Sequence, residues 1–191
     1  FLTASNAGGV STSLVASFFT RGAASVVYVS TNGSNTAGTS WSTAYTNLQE
    51  ALDIIEEGDT VYLAGHTFER IPDYQQVSLW TWAGDADVAM TGGYSATNDV
   101  GLPGPRDSAQ WPTVLKRGAS GATRVLYLAD LTNCTLKGVT VRDGYLNAVQ
   151  AFNGMGFYMT GCSGFILDEC VFTNNNGYGS TLLGGGGYIT A

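Results

Sequence analysis

The chain has 191 residues, 26 of them Gly, and only 12% are charged, enough for one domain with a sizeable core, or one domain and an arm. Lys+Arg 8 against Asp+Glu 15 leave a net charge of -7, which argues against a nucleic-acid partner, because phosphate binding needs clustered Lys and Arg. Low charge with many Ser, Thr, Asn and Gly and 12% aromatics fits an extracellular β-rich protein, and no stretch is long and apolar enough to span a bilayer.

The sequence opens on Phe1 rather than Met, as a processed or truncated product does, and residues 1–24 lack the basic start of a signal peptide. From Val10 to Phe19, alternate residues Val10, Thr12, Leu14, Ala16 and Phe18 form a largely apolar face at strand period. Gly8-Gly9 and Gly22 flank it as joints. Residues 1–24 are therefore expected to form an extended N-terminal arm, with Val10, Leu14 and Phe18 as its assembly residues. It is either a first strand packed on its own domain or a donor that adds to a neighbouring subunit's sheet.

Val26 to Ser30 is a strand, followed by a polar loop from Thr31 to Ser40. Leu48, Ala51, Leu52 and Ile55 then fall on one helical stripe, which predicts a helix over 47–57. Thr46 or Asn47 serves as its N-cap, Gln49 or Glu50 is placed for a capping box, and Gly58 follows the C-cap. Beyond Asp59 only strands and turns are expected.

Those strands repeat. Val125–Ala129, Gly156–Thr160 and Gly186–Thr190 align at an offset of roughly 30–31 residues, which is the signature of a repeat architecture. Between them, Leu136 falls on Leu167, Val139 on Cys170 and Val141 on Phe172, and Asn174-Asn175-Asn176 fits a turn in which Asn tolerates the left-handed backbone. A repeat of short strands without helices between them predicts stacked rungs, each strand lying on its equivalent in the rung before. Gly187 to Ala191 reads as the opening strand of a further rung.

Several blocks resemble a known family. Tyr28-Val-Ser-Thr-Asn-Gly-Ser, Leu48-Gln-Glu-Ala-Leu and Gly58-Asp-Thr-Val-Tyr-Leu-Ala are similar to the N-terminal capping region of bacterial right-handed parallel β-helix surface proteins. Met90-Thr-Gly-Gly-Tyr, Arg106-Asp, Pro112-Thr-Val-Leu and Gly184-Gly-Gly-Gly-Tyr-Ile are similar to the same proteins and to the passenger regions of polymorphic outer-membrane proteins. The resemblance covers about residues 26–191. It implies an all-β, right-handed parallel β-helix of few rungs over 25–191, with one N-terminal capping helix.

For function the residues leave two classes open. One is a non-catalytic extracellular structural or adhesive surface protein, a filament subunit binding copies of itself head to tail through the N-terminal strand and the open end of the coil. The other is a carbohydrate-active enzyme, a polysaccharide lyase or glycoside hydrolase, or a carbohydrate-binding module on the same scaffold. Trp80 and Trp82 share a strand face and are either a sugar-stacking platform or a plug for the first coils. The carboxylates Asp143, Asp168 and Glu169 are weighed as catalytic, but adjacent Asp168 and Glu169 would point to opposite faces of a strand. Lys137 over Asp168 reads as an exposed cross-strand ion pair. Asp85-Ala-Asp87 is either a calcium fragment or a solvated turn, and His66, after a strand turn, is expected to be exposed or hydrogen-bonded. Asn32 and Asn133 head glycosylation sequons. Cys134, Cys162 and Cys170 match no zinc spacing and read as structural. No cofactor or metal is expected, and surface carbohydrate is the one partner besides the chain itself.

Overall fold

A computed structural model describes residues 24–73, 77–119, 121–147, 153–178 and 183–191, and the backbone of 3–6 and 9–12. Near the N-terminus, β1 (Thr3–Asn6) and β2 (Gly9–Thr12) pair antiparallel, with Ser5 opposite Val10. The hairpin was not legible as such, because the alternating pattern starts only at Val10.

The rest is all-β, with parallel ladders and one short helix, as the repeat predicts. After β3 (Val26–Val29) and the helix α1 (Leu48–Leu52), the chain passes through β4 (Thr60–Ala64), β5 (Thr67–Arg70) and β6 (Ser78–Ala83). It then returns through β7 (Ala89–Tyr94), β8 (Thr113–Arg117) and β9 (Arg124–Ala129). Two further passes follow: β10 (Thr135–Lys137), β11 (Val139–Arg142), β12 (Tyr145–Asn147) and β13 (Phe157–Thr160), then β14 (Ile166–Asp168), β15 (Val171–Thr173), β16 (Asn176–Tyr178) and β17 (Gly187–Thr190). Equivalent strands of successive passes pair in parallel, giving the orders β3-β4-β7-β10-β14, β5-β8-β11-β15, β6-β9-β13-β17 and β12-β16. The expected register holds: Leu136 lies on Leu167, Val141 on Phe172, and Tyr127 on Tyr158 on Tyr188.

The corners explain how so regular a path is encoded. Asp130, Asn133, Gly138 and Asp143 all have positive φ, and so do Gly161, Gly164, Glu169 and Asn174 in the next pass. Each member of the second set lies 31 residues after its counterpart, the spacing that also separates Lys137 from Asp168. Seven of the eight are Asn, Asp or Gly, which enter the left-handed region most cheaply, the Gly members because they bear no Cβ, and Glu169 is the exception. Asn175 is buried beside this corner. Its Oδ1 accepts from Gly144 N–H at 2.9 Å and its Nδ2 donates to Val141 O at 3.1 Å. A Cβ at Gly144 would run into the carbonyl of Met155 and crowd Asn175, so Gly is required there for packing.

The first layer is covered in part, at β3 and β6, while among the described residues β5 pairs only with β8. Leu48, Ala51 and Leu52 of α1 are buried against the core. Along the free edge of β3, Tyr28 N–H donates to Gly38 O and Tyr45 N–H to Tyr28 O. On the edge of β6, the Gln49 carboxamide does the work of a missing strand: its Oε1 accepts from Thr81 N–H and its Nε2 donates to Thr81 O. The helix is shorter than the 47–57 expected. Asn47 is the N-cap and accepts from Gln49 N–H, but Glu50 bonds the Asn35 side chain at 2.8 Å in place of a capping box. The apolar stripe continues to Ile55, yet no basic residue lies in the last turn to meet the helix dipole. Instead the Asp59 carboxylate takes the N–H groups of Glu56 and Ser25 and draws the chain into a turn, with Gly58 at positive φ.

The inward row Trp82, Leu128, Met159, Ile189 measures the burial along the stack, at 1%, 0%, 7% and 63% exposed. Truncating Leu128 to Ala should therefore cost about 2–5 kcal/mol, whereas Ile189→Ala should lie within about 0.5 kcal/mol of wild type. Urea unfolding of the unassembled protein checks both, and equal losses would contradict the layered interior.

Candidate functional site

The residues singled out from the sequence scatter. Trp80 and Trp82 do share a face, and it is the inner one: both are buried in the core, Trp82 packs edge-on against Phe165, and its Nε1 donates to Asp85 Oδ2 at 2.9 Å. Neither ring is open to a sugar at the surface. Period-two alternation put the two rings on one side of the strand but could not say which side the core lies on. Val10 lies in β2, while Leu14 and Phe18 fall outside the described residues. Asn32 and Asn133 are exposed; Asn133 occupies a positive-φ corner and its Nδ2 donates to Asp87 Oδ1.

The carboxylates are held by cations and amides. Lys137 Nζ lies 2.6 Å from Asp168 and 3.3 Å from Glu169, and Arg106 lies 2.6 Å from Glu169. The ion pair of Lys137 and Asp168 is the expected one. Asp168 and Glu169 would diverge if both lay in one strand, but Glu169 lies outside β14 and both reach Lys137. The strand ends at Asp168, and the positive φ of Glu169 turns its side chain back to the same side. Lys137 holds the Asp168 carboxyl below its ordinary range, and Arg106, then Lys137, does the same for Glu169. Asp143 accepts from Arg142 Nε at 2.8 Å and from Asn174 Nδ2. Asp85 and Asp87 have separate partners, Trp82 and Asn133. The three thiols donate to backbone carbonyls, Cys134 to Thr132, Cys162 to Thr160 and Cys170 to Asp168, and burial pushes Cys134 and Cys170 up.

Two features were not anticipated. The first lies where the period breaks. Asp87 and Asn133, equivalent corners, are 46 residues apart, because the connection from β7 to β8 carries an extra excursion. That excursion folds over an aromatic cluster on the outer face of the first sheet, in which Tyr28 packs on Trp41 at 4.8 Å and Tyr62 on Tyr94 at 4.9 Å between ring centroids. Trp41 Nε1 donates to Pro103 O and Ser42 N–H donates to Asp99 Oδ1, tying the excursion to the loop after β3. Beside these contacts lies a cleft of about 440 Å³ whose lining includes His66 and Asp99.

His66 is hydrogen-bonded, as expected, with Nδ1 shared with Thr31 Oγ1 at 2.9 Å and Ser30 Oγ at 3.4 Å. Burial lowers its pKa below the ordinary 6.5. The Ser42 hydroxyl, aided by backbone donors, holds Asp99 below the usual carboxylate range. The lining of the cleft therefore includes a neutral imidazole and an ionised carboxylate near neutral pH.

The second feature is the last layer. Among the described residues, β14, β15 and β17 each have a neighbour on one edge only. Phe165, Leu167, Cys170 and Phe172 pack on the core but are only partly covered, and Ile189 is exposed.

Comparison with family models, with curated proteins and with solved structures found no match. The likeness to β-helix surface proteins therefore stands on the quoted residues alone, beside a parallel layered architecture compatible with it.

The His66 shift carries a pH signature. The folded state binds this proton less readily than the unfolded chain, so the contribution is complete above about pH 6.5 and is lost as pH falls below it. Between pH 7.5 and 5, the thermal midpoint of wild type should fall more than that of His66→Gln, in which every other titrating group is retained. Parallel melts at both pH values measure the difference, and identical falls would contradict a buried neutral imidazole.

Proposed function

We propose that this chain is a right-handed parallel β-helix acting as an extracellular structural or adhesive element, a filament subunit that joins copies of itself. The coil is the simplest path through ladders visited in fixed rotation, and its hand follows from the rule that about 98% of crossovers between parallel strands of one sheet are right-handed.

The observation that carries the assembly is the asymmetry of the two ends. The first layer is covered by α1, by Gly38 and Tyr45 on β3, and by Gln49 on β6. Among the described residues, the four strands of the last pass, β14 to β17, each pair on one edge only, and the inward residue Ile189 is exposed. Unpaired edges beside apolar surface are a template for another strand. Because α1 and the contacts on β3 and β6 occupy much of the first layer, with β5 paired only to β8, direct end-on stacking is disfavoured and a strand from the N-terminal arm is the better donor. A strand of one copy added to the open edges of the next joins two different surfaces, so the contact is heterologous and propagates unless it closes into a ring or two copies exchange arms.

The full chain should sediment as large, concentration-dependent polymers, and both deletion of residues 1–24 and Ile189→Asp should leave folded monomers. A full chain that stays monomeric at high concentration would sink the proposal, and polymers that survive both changes would move the contact elsewhere. Electron microscopy of the polymer should show unbranched fibres or closed rings with one chain per axial repeat.

A further inference from the structure

We infer that the cleft lined by His66 and Asp99 is a binding site for a neutral saccharide. Its lining is hydroxyl, carboxamide, one carboxylate and one imidazole, and neither Lys nor Arg lines it. A uronate or phosphate would meet the Asp99 charge with no cation to offset it, whereas neutral hydroxyl groups donate to a carboxylate in charge-assisted hydrogen bonds. His66 Nδ1 is engaged by Thr31 and Ser30, and Nε2 has no protein partner among the described residues. In one tautomer Nε2 donates and in the other it accepts. A sugar hydroxyl satisfies either, since it does both. Asn32 and Asn98 add donors and acceptors at the mouth, and the volume lies in the roughly 300–1,000 Å³ range of small-molecule sites.

Rigidity is already in place. Trp41 forms one wall, held by the Tyr28 and Tyr94 rings and by its bond to Pro103, so little ordering remains to oppose binding. The backbone gives a separate indication. Ala96, in the lining, has φ +50, and among the described residues it is the one at positive φ, glycines aside, that has no polar side chain. Strain of this kind persists where surrounding structure enforces it, and it clusters at ligand sites. Ala96 stands in the excursion that breaks the 31-residue period, which the stacking of layers does not itself require.

This inference is independent of the assembly reading, because it is scored as binding per chain and not as particle size. The full chain is titrated calorimetrically with cellohexaose, mannohexaose and β-1,4-galactohexaose, with trigalacturonate and calcium chloride as contrasting probes, and saturation-transfer NMR records which sugar rings touch protein. At least one neutral hexasaccharide should bind. Asp99→Ala should weaken it about tenfold, the loss expected for a hydrogen bond to a charged group, and Thr97→Trp, which puts a bulky ring in the lining while leaving Asp99 and His66 in place, should abolish it. Thermal melts establish that both variants fold. The inference is overturned if no neutral sugar binds, if binding survives Thr97→Trp, or if trigalacturonate or calcium alone binds as tightly as the best neutral sugar.

Discussion

A parallel strand has two hydrogen-bonding edges, and in this chain both are satisfied almost entirely by the strands one pass before and one pass after. Backbone N–H and C=O groups left unpaired away from water are costly, so each layer depends on its neighbours being in register. A shift by one residue would turn Leu136, Val141 and Met159 outward together. The interior row from Trp82 to Ile189 and the pairing of Leu136 with Leu167 are both consequences of that single requirement.

Register then repeats chemistry as well as shape. Tyr127, Tyr158 and Tyr188 stack at 5.8 Å between successive centroids, with the Arg124 guanidinium 4.7 Å from the Tyr158 ring. Thr190 donates to Thr160 at 3.1 Å, and Lys137 sits against Asp168. Exposed pairs of this kind contribute little stability each, but they disfavour slipped pairings that would set unlike groups side by side. The same repetition makes the ends of the stack special. The first is shielded in part by a short helix and by a glutamine that imitates a strand, and among the described residues the strands of the last pass pair on one edge only.

Where the period fails, the surface acquires shape. The excursion between β7 and β8 adds nothing to the ladders, yet it meets the loop after β3 over four aromatic rings and creates the cleft of His66 and Asp99. Neighbouring corners hold charged side chains in mutual contact, as in the cluster of Arg106, Glu169, Lys137 and Asp168. The cleft differs in having polar groups with capacity left over.

Much of the architecture was legible in the residues alone, because a buried parallel strand must keep apolar residues at period two and a repeat must return them at a fixed offset. Leu136 over Leu167 and the three tyrosines in column could be written down before any coordinates, and so could the structural character of the thiols. Facing and orientation could not. Alternation groups Trp80 with Trp82 without saying that the shared side is the interior. The rule that adjacent strand residues diverge does not reach Glu169, because the strand ends at Asp168 and a left-handed corner, invisible in a residue that seldom adopts one, begins there. The helix stripe ran on to Ile55, but the Asp59 carboxylate ends the helix by binding backbone across the first layer. His66 and Asp99 lie far apart in sequence, and only the closing of one loop over another brings them to a common cleft. Local periodicity determines which residues stack, whereas the meeting of distant loops is decided by the packing of the whole chain.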